Sequence, residues 1–179
     1  MLLETIQSRA IRYSFKKNTK DSIRKYLESK YGNNLSNVDF LVNYSDGRIG
    51  DLIDIIENSD INSIRDTMLD FVINVKTMKM EQRLKAMEFF EEHKEDIDKV
   101  LEIMVMFFRD WLILKKTGNY NLLTNVDKKD ILSRNEDKFS CNELIRNIEV
   151  VTRTIGYVKR NVNFGLLLEV MILKLRGEV

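Results

Sequence analysis

The chain has 179 residues, enough for one well-cored domain or for a small and a medium one. Its 29 Lys and Arg against 28 Asp and Glu leave a net charge of +1, which excludes a dedicated nucleic-acid-binding domain built on a large cationic excess but leaves room for a local patch. The single cysteine, Cys141, excludes an intramolecular disulfide and a cysteine-rich zinc site, and the absence of proline suits long uninterrupted helices.

Residues 9–15 alternate, with Ile11, Tyr13 and Phe15 on one side, a period of two that predicts a short strand. Three short helices are expected next. Asn18 or Thr19 caps the first, which buries Ile23, Tyr26 and Leu27 and stops at Gly32. Ser36 with Asp39 opens the second, bearing Val38, Leu41 and Val42 and ending at Asp46-Gly47. The third carries Ile49, Leu52, Ile53 and Ile56 on one face. None is long enough to stand alone, so they are expected to pack as a three-helix unit.

Asn58-Ser59-Asp60 marks the expected boundary to longer patterns. Ile61, Ile64, Met68, Phe71, Val75 and Met78 share one face, and Met80, Leu84, Met87 and Phe90 repeat the pattern on a second helix. A third helix from about Asp96 to Lys116 has a wide apolar arc that includes Trp111, read as core. Gly118 to Val126 reads as a loop, followed by a brief helix around Lys128 to Glu136. Ser140 and Glu143 form a capping box for a helix bearing Leu144, Ile148, Val151, Ile155 and Val158. The last helix, from about Val162 to Arg176, is apolar almost all round and is expected to be the central rod. Its run from Phe164 to Leu175 contains Glu169 and Lys174 and is shorter than the ~20 residues a bilayer span needs. Glu4 and Arg9 interrupt any secretory signal, so a cytoplasmic, membrane-free, all-α protein is expected.

Three stretches carry a family resemblance. Thr5-Ile6-Gln7-Ser8-Arg9 resembles the T-I-x-S-R-C signature near the end of the ATPase domain of bacterial clamp-loader subunits, with Ala10 in place of the usual cysteine. Tyr44 to Leu52 resembles the S-x-G-S-x-G-x-A-L turn opening the third helix of their lid domain. Phe108 to Lys115, with Asn161 to Glu169, resembles the W-R-D-L-L-L-x-K and N-x-N-x-x-L-x-L-E patterns of the collar domain. Together they are similar to the lid-plus-collar region of the delta-prime subunit family of the bacterial DNA polymerase III clamp loader, an AAA+ family.

The resemblance implies a remnant of the AAA+ ATPase domain over 1–15, a three-helix lid over 16–58 and a collar oligomerisation domain of five to six helices over 60–179. It also implies that a nucleotide-binding portion precedes this segment, so a truncated piece is expected. Arg9, with Ser8, becomes the candidate arginine finger acting in trans on ATP held by a neighbouring subunit. A guanidinium delivered there neutralises charge on the transferred phosphoryl, worth on the order of 10³–10⁵ in rate. From the residues alone, a surface ion pair is the simpler reading of Arg9.

Gly47, Arg48 and Gly50 occupy the degenerate sensor-like turn. Asp51 follows where the family often has a basic residue, and a carboxylate there repels phosphate, so the turn is read as structural and without nucleotide contact. Arg109, Asp110, Asn161 and Asn163 are the candidate interface residues of the collar, and Arg109-Asp110 either pairs with a charge on another helix or is simply solvated.

The resemblance implies an accessory, non-catalytic subunit of the polymerase holoenzyme, a nucleotidyltransferase complex active in DNA replication. Its partners would be the gamma/tau motor and delta subunits, with the sliding clamp and primed DNA reached through the assembled ring. No cofactor or metal of its own is expected. Residues 1–31 hold eight basic and three acidic side chains, and that excess of five reads as a solvated face plus contact with the next subunit, with DNA phosphates as the alternative. His93, the one histidine, sits among Glu91, Glu92, Glu95 and Asp96 and reads as a solvated helix end rather than a metal ligand. The rival function is a free-standing helical adaptor that takes a partner helix in a groove. An enzyme ranks last, because no phosphate-binding glycine loop, catalytic triad or carboxylate pair is visible.

Overall fold

The computed structural model describes residues 16–32, 35, 37–58, 60–160 and 162–178, and of Asp51, Asp54 and Asn58 the backbone alone. The strand expected over 9–15, together with Ser8, Arg9, Ser36 and Asn161, lies outside the described residues. Within them the protein is all-α, with nine α-helices and no strand.

The first three helices are short and need one another. α1 (Lys20–Tyr31) starts at Thr19, whose hydroxyl accepts the Ser22 N–H at 3.2 Å. α2 (Val38–Tyr44) starts from Asn37 at φ 64 with no side-chain cap. The Ser36–Asp39 cap expected here involves Ser36, outside the described residues, and the Asp39 carboxylate pairs with the Arg24 guanidinium of α1. α3 (Ile49–Asn58) completes the unit. Its core is Ile23, Leu27, Phe40, Leu41, Val42, Leu52 and Ile55. Phe40 and Ile55 were not expected inside, and Ile49, Ile53 and Ile56 are only half-buried, so the inward face of α3 is turned from the predicted stripe.

Asp60 caps α4 (Ile61–Asn74) by accepting the Ser63 N–H, and a 3₁₀ turn at Val75–Thr77 extends it. The remaining helices are α5 (Met80–Glu92), α6 (Ile97–Thr117), α7 (Lys129–Arg134), α8 (Cys141–Val158) and α9 (Phe164–Arg176). The Ser140–Glu143 capping box opens α8, each residue binding the other's backbone N–H.

The central rod is α6, not the last helix. It buries residues from Ile97 to Leu114 on several sides, against α4 and α8. α9 lies outside, against α8, α5 and the 75–77 turn, and leaves Leu166 58% exposed. α5 also departs from its predicted stripe: Met80 is 64% and Leu84 53% exposed, while Phe90 is buried. Apolar periodicity identifies a helical face but not what covers it.

The larger bundle has its own core, from Met68 to Leu175, separate from that of the small bundle, and Tyr44 and Ile61 pack against both. Each large apolar side chain buried in either contributes roughly 1.5–3 kcal/mol.

Candidate functional site

Arg65, which sequence reasoning passed over, and Asp110, which it placed at the collar interface, organise the junction of the bundles. Arg65 sits on α4 beside Ile64 and Met68, within the apolar stripe, and is fully buried. A buried cation needs an anion and hydrogen bonds. Asp127 supplies the charge at 2.7 Å, and the Asn125 side-chain oxygen accepts from Nε at 3.2 Å and Nη2 at 2.9 Å. The guanidinium carbon lies 3.6 Å from the centre of the Phe40 ring, inside the small bundle's core, a cation–π arrangement.

The loop that provides these partners is held from the other side by Asp110 on α6. Its carboxylate accepts the Thr124 N–H at 2.9 Å, the Asn125 N–H at 2.7 Å and the Asn125 side-chain amide at 2.8 Å. Asp110 is fully buried, so it turns away from any intersubunit surface and organises its own chain. Burial pushes its pKa up, opposed by those three donors and by Arg109. Asn43 of α2 donates to the Leu123 carbonyl at 3.3 Å, a further tie from the small bundle to the same loop.

The turn after α2 forms one wall of a cleft at this junction. Gly47 has φ +86, and a Cβ there would meet the Lys17 Cβ at 2.6 Å and the Asn18 carbonyl oxygen at 3.0 Å. Only glycine allows the turn to lie against residues 17–18, where the Asn18 N–H donates to the Gly47 carbonyl at 3.0 Å. Gly50 differs: nothing lies within 4 Å of its would-be Cβ, so close packing does not require glycine there. Asp46, at the tip, pairs with Lys17, and this contact and charge, with Arg48 and Arg109 beyond, hold its pKa below the usual carboxylate value.

Arg109 is exposed, with Thr124 Oγ1 at 3.5 Å, and faces this cleft. Asn163 caps α9, its side-chain oxygen accepting the Leu166 N–H at 3.0 Å. His93 stacks on Phe89 with ring centres 4.2 Å apart, and its Nδ1 lies 2.8 Å from the Phe89 carbonyl oxygen. Among the described residues no group of three or more His, Cys, Asp or Glu side chains is placed to hold a metal, and no helix is long and apolar enough to cross a membrane. Trp111 is fully buried in the core against Phe139.

Among the described residues the exposed large hydrophobic side chains all belong to the larger bundle, with Met80 and Leu84 on α5, Ile145 and Tyr157 on α8, and Leu166 on α9 among them. Arg83 and Glu169, 3.9 Å apart, link α5 to α9.

A family model described as DNA polymerase III, delta subunit, C terminal, matches residues 63–177. The matched span covers the larger bundle and the loop carrying Asn125 and Asp127. The sequence resemblance named delta-prime, and the match supports the coarser assignment to the C-terminal domain of the delta subunit. No curated protein matches the chain.

Proposed function

Because the chain belongs to the family of C-terminal domains of the DNA polymerase III delta subunit, a component of the clamp loader, we propose that it serves as the lid and collar of a delta-prime-type subunit. In this reading it performs no chemistry of its own. The collar joins the gamma/tau motor and delta subunits in a ring, and through that ring meets the sliding clamp and primed DNA. Arg9 acts in trans on ATP bound by the adjacent motor subunit, with Ser8 beside it.

The observation that carries the assembly half is the placement of Met80, Leu84, Tyr157 and Leu166 on the outer faces of α5, α8 and α9. Water-exposed side chains of that size gain by being covered, and packing against a neighbouring subunit covers them. Arg65 and Asp110 support a positioning role for the junction, since a finger works only if its carrier is held in register. The trans half rests on the Thr5–Arg9 resemblance. It is tested by Arg9→Ala in the assembled complex: clamp-loader ATPase is expected to slow with assembly retained, and unchanged turnover refutes the assignment.

One feature favours the adaptor reading: a groove of about 590 Å³ floored by Ile61, Ile64, Phe89, Val100 and Ile103. Co-elution with the motor subunits separates the two readings.

A further inference from the structure

Two cavities along α4 and α5 run into one another. The larger, about 590 Å³, opens where Ile55 of α3 meets Ile61 and Ile64 of α4, and Val100 and Ile103 of α6 form its floor. The smaller, about 170 Å³, lies further along the same two helices, over Met68, Phe71, Met78 and Ala86. Thr67 and Phe89 line both, so the two make one groove. Along α4 it reaches from Asp60 to Phe71, roughly 16 Å at ~1.5 Å per residue, the length of three helical turns.

Floor and rim differ in chemistry. Ile55, Val100 and Ile103 are buried, while Ile61, Ile64 and Phe89 are half-buried and keep apolar edges open to a ligand. Carboxylates gather at the wide end. Asp60 caps α4, and Asp96 pairs with Lys99 at 2.9 Å. Glu92 has no such partner among the described residues, although its neighbour Glu91 holds Lys94 at 2.9 Å. It stands exposed in the last turn of α5, which contains no basic residue. There its charge adds to the negative end of the helix dipole, an arrangement that a nearby cation relieves. Of the described lysine and arginine side chains, Lys99 alone lines this end, and Asp96 already engages it.

We propose that the groove takes an amphipathic helix of a partner protein, about three turns long, with apolar side chains along one face and lysine or arginine at the end that meets Glu92 and Asp60. Anchors spaced three and four apart fall on one helical face and fit a trough of this length. A helix satisfies its own backbone hydrogen bonds, whereas an extended segment would leave donors and acceptors unpaired over an aliphatic and aromatic floor. The inference does not rest on the collar reading. Met80, Leu84 and Leu166 lie outside the lining, and a ring subunit can carry this groove as well as a free adaptor.

The test is calorimetric titration of the full chain with end-capped synthetic peptides of about 14 residues. The first has leucines spaced three and four apart, alanine and glutamine elsewhere, and lysines confined to one end. The second replaces the lysines by glutamates, and the third scrambles the first so that the leucine stripe is lost. The lysine peptide is expected to bind in the range of about 10–100 μM, and the glutamate peptide at least roughly fivefold more weakly. Glu92→Lys should weaken the lysine peptide about fivefold, and it places a cation at a helix C-terminus, so the fold should hold. Ser63 is exposed on the groove wall and meets Asp60 through its backbone N–H. Ser63→Tyr therefore fills the groove without removing the cap, and should abolish binding.

Glu28→Lys, exposed in the last turn of α1 and outside the lining, should change nothing. No binding of the lysine peptide at about 1 mM overturns the proposal. So does equal binding of the glutamate or scrambled peptide, or binding that survives Ser63→Tyr. Equal loss in Glu28→Lys overturns it as well, because the attraction is then diffuse. Dimerisation of the chain alone, abolished by Ser63→Tyr, would overturn it by assigning the groove to a second copy.

Discussion

Arg65 of α4 lies 3.6 Å from the centre of the Phe40 ring in α2, so a cation from one bundle is seated in the hydrophobic core of the other. Removing the buried half of this pair strands the partly exposed Asp127 and the Asn125 oxygen and opens the space over Phe40, which together cost on the order of 3–5 kcal/mol at most. Arg65→Ala should therefore lower unfolding free energy by about that much in urea denaturation. Arg65→Met should lose less, because its stem still fills the space over Phe40. A loss below about 1 kcal/mol for Arg65→Ala would mean the bundles are held by their apolar contacts alone.

Asp110→Ala removes the acceptor of two backbone N–H groups and one side-chain amide, all buried. Each stranded donor costs about 1–3 kcal/mol. Arg65 and Asp110 share Asn125, so a double-mutant cycle should show coupling of about 0.5–3 kcal/mol. Strict additivity would show that the loop does not transmit between them.

Gly47 and Gly50 make a matched pair. Gly47→Ala forces a Cβ to 2.6 Å from Lys17 at φ +86 and should lower the melting temperature. Gly50→Ala enters open space in a helix and should stabilise by about 0.4–1 kcal/mol. Equal effects would contradict the close approach of the turn to residues 17–18.

Much of the fold was legible because the signals were local. Thr19 and Ser140 cap their helices by side chains acting three residues away, and the 3.6-residue period marks the apolar faces of α1, α4, α6 and α8. What failed was anything set by distant partners. Arg65 interrupts an apolar stripe, and its justification lies 60 and 62 residues away at Asn125 and Asp127. The inward turn of Asp110 and the Asp39–Arg24 pair between α1 and α2 are of the same kind. Met80, Leu84 and Leu166 were placed inside because periodicity cannot separate a core face from one left on the surface. The cleft uses Lys17, Arg48 and Arg109, each visible in the sequence, but only the folded chain makes them neighbours.

Glu143 gives the pH dependence a definite sign. The hydrogen bond from Lys76, then the Ser140 N–H, lower its pKa from 4.5 to about 2. A folded-state pKa below the unfolded value means that its contribution is complete above pH 4.5 and lost as pH falls towards about 2. Glu143→Gln should therefore cost stability at neutral pH and show a shallower acid decline across that window. Parallel pH profiles for the two proteins would contradict this linkage.

The outer face of α5 and α9 should matter to assembly and not to folding. Leu84→Asp with Leu166→Asp replaces two exposed side chains, so thermal stability should change little while association with partner subunits weakens. Loss of folding in this variant would place those side chains in the core after all.

The most direct measurement is gel filtration of the chain mixed with purified gamma/tau motor subunits, read by mass. A collar subunit should co-elute in a defined stoichiometric complex, and the Leu84→Asp, Leu166→Asp variant should dissociate from it. Elution of the unmodified chain alone, at concentrations where the motor subunits are themselves assembled, would contradict its role in the clamp-loader ring.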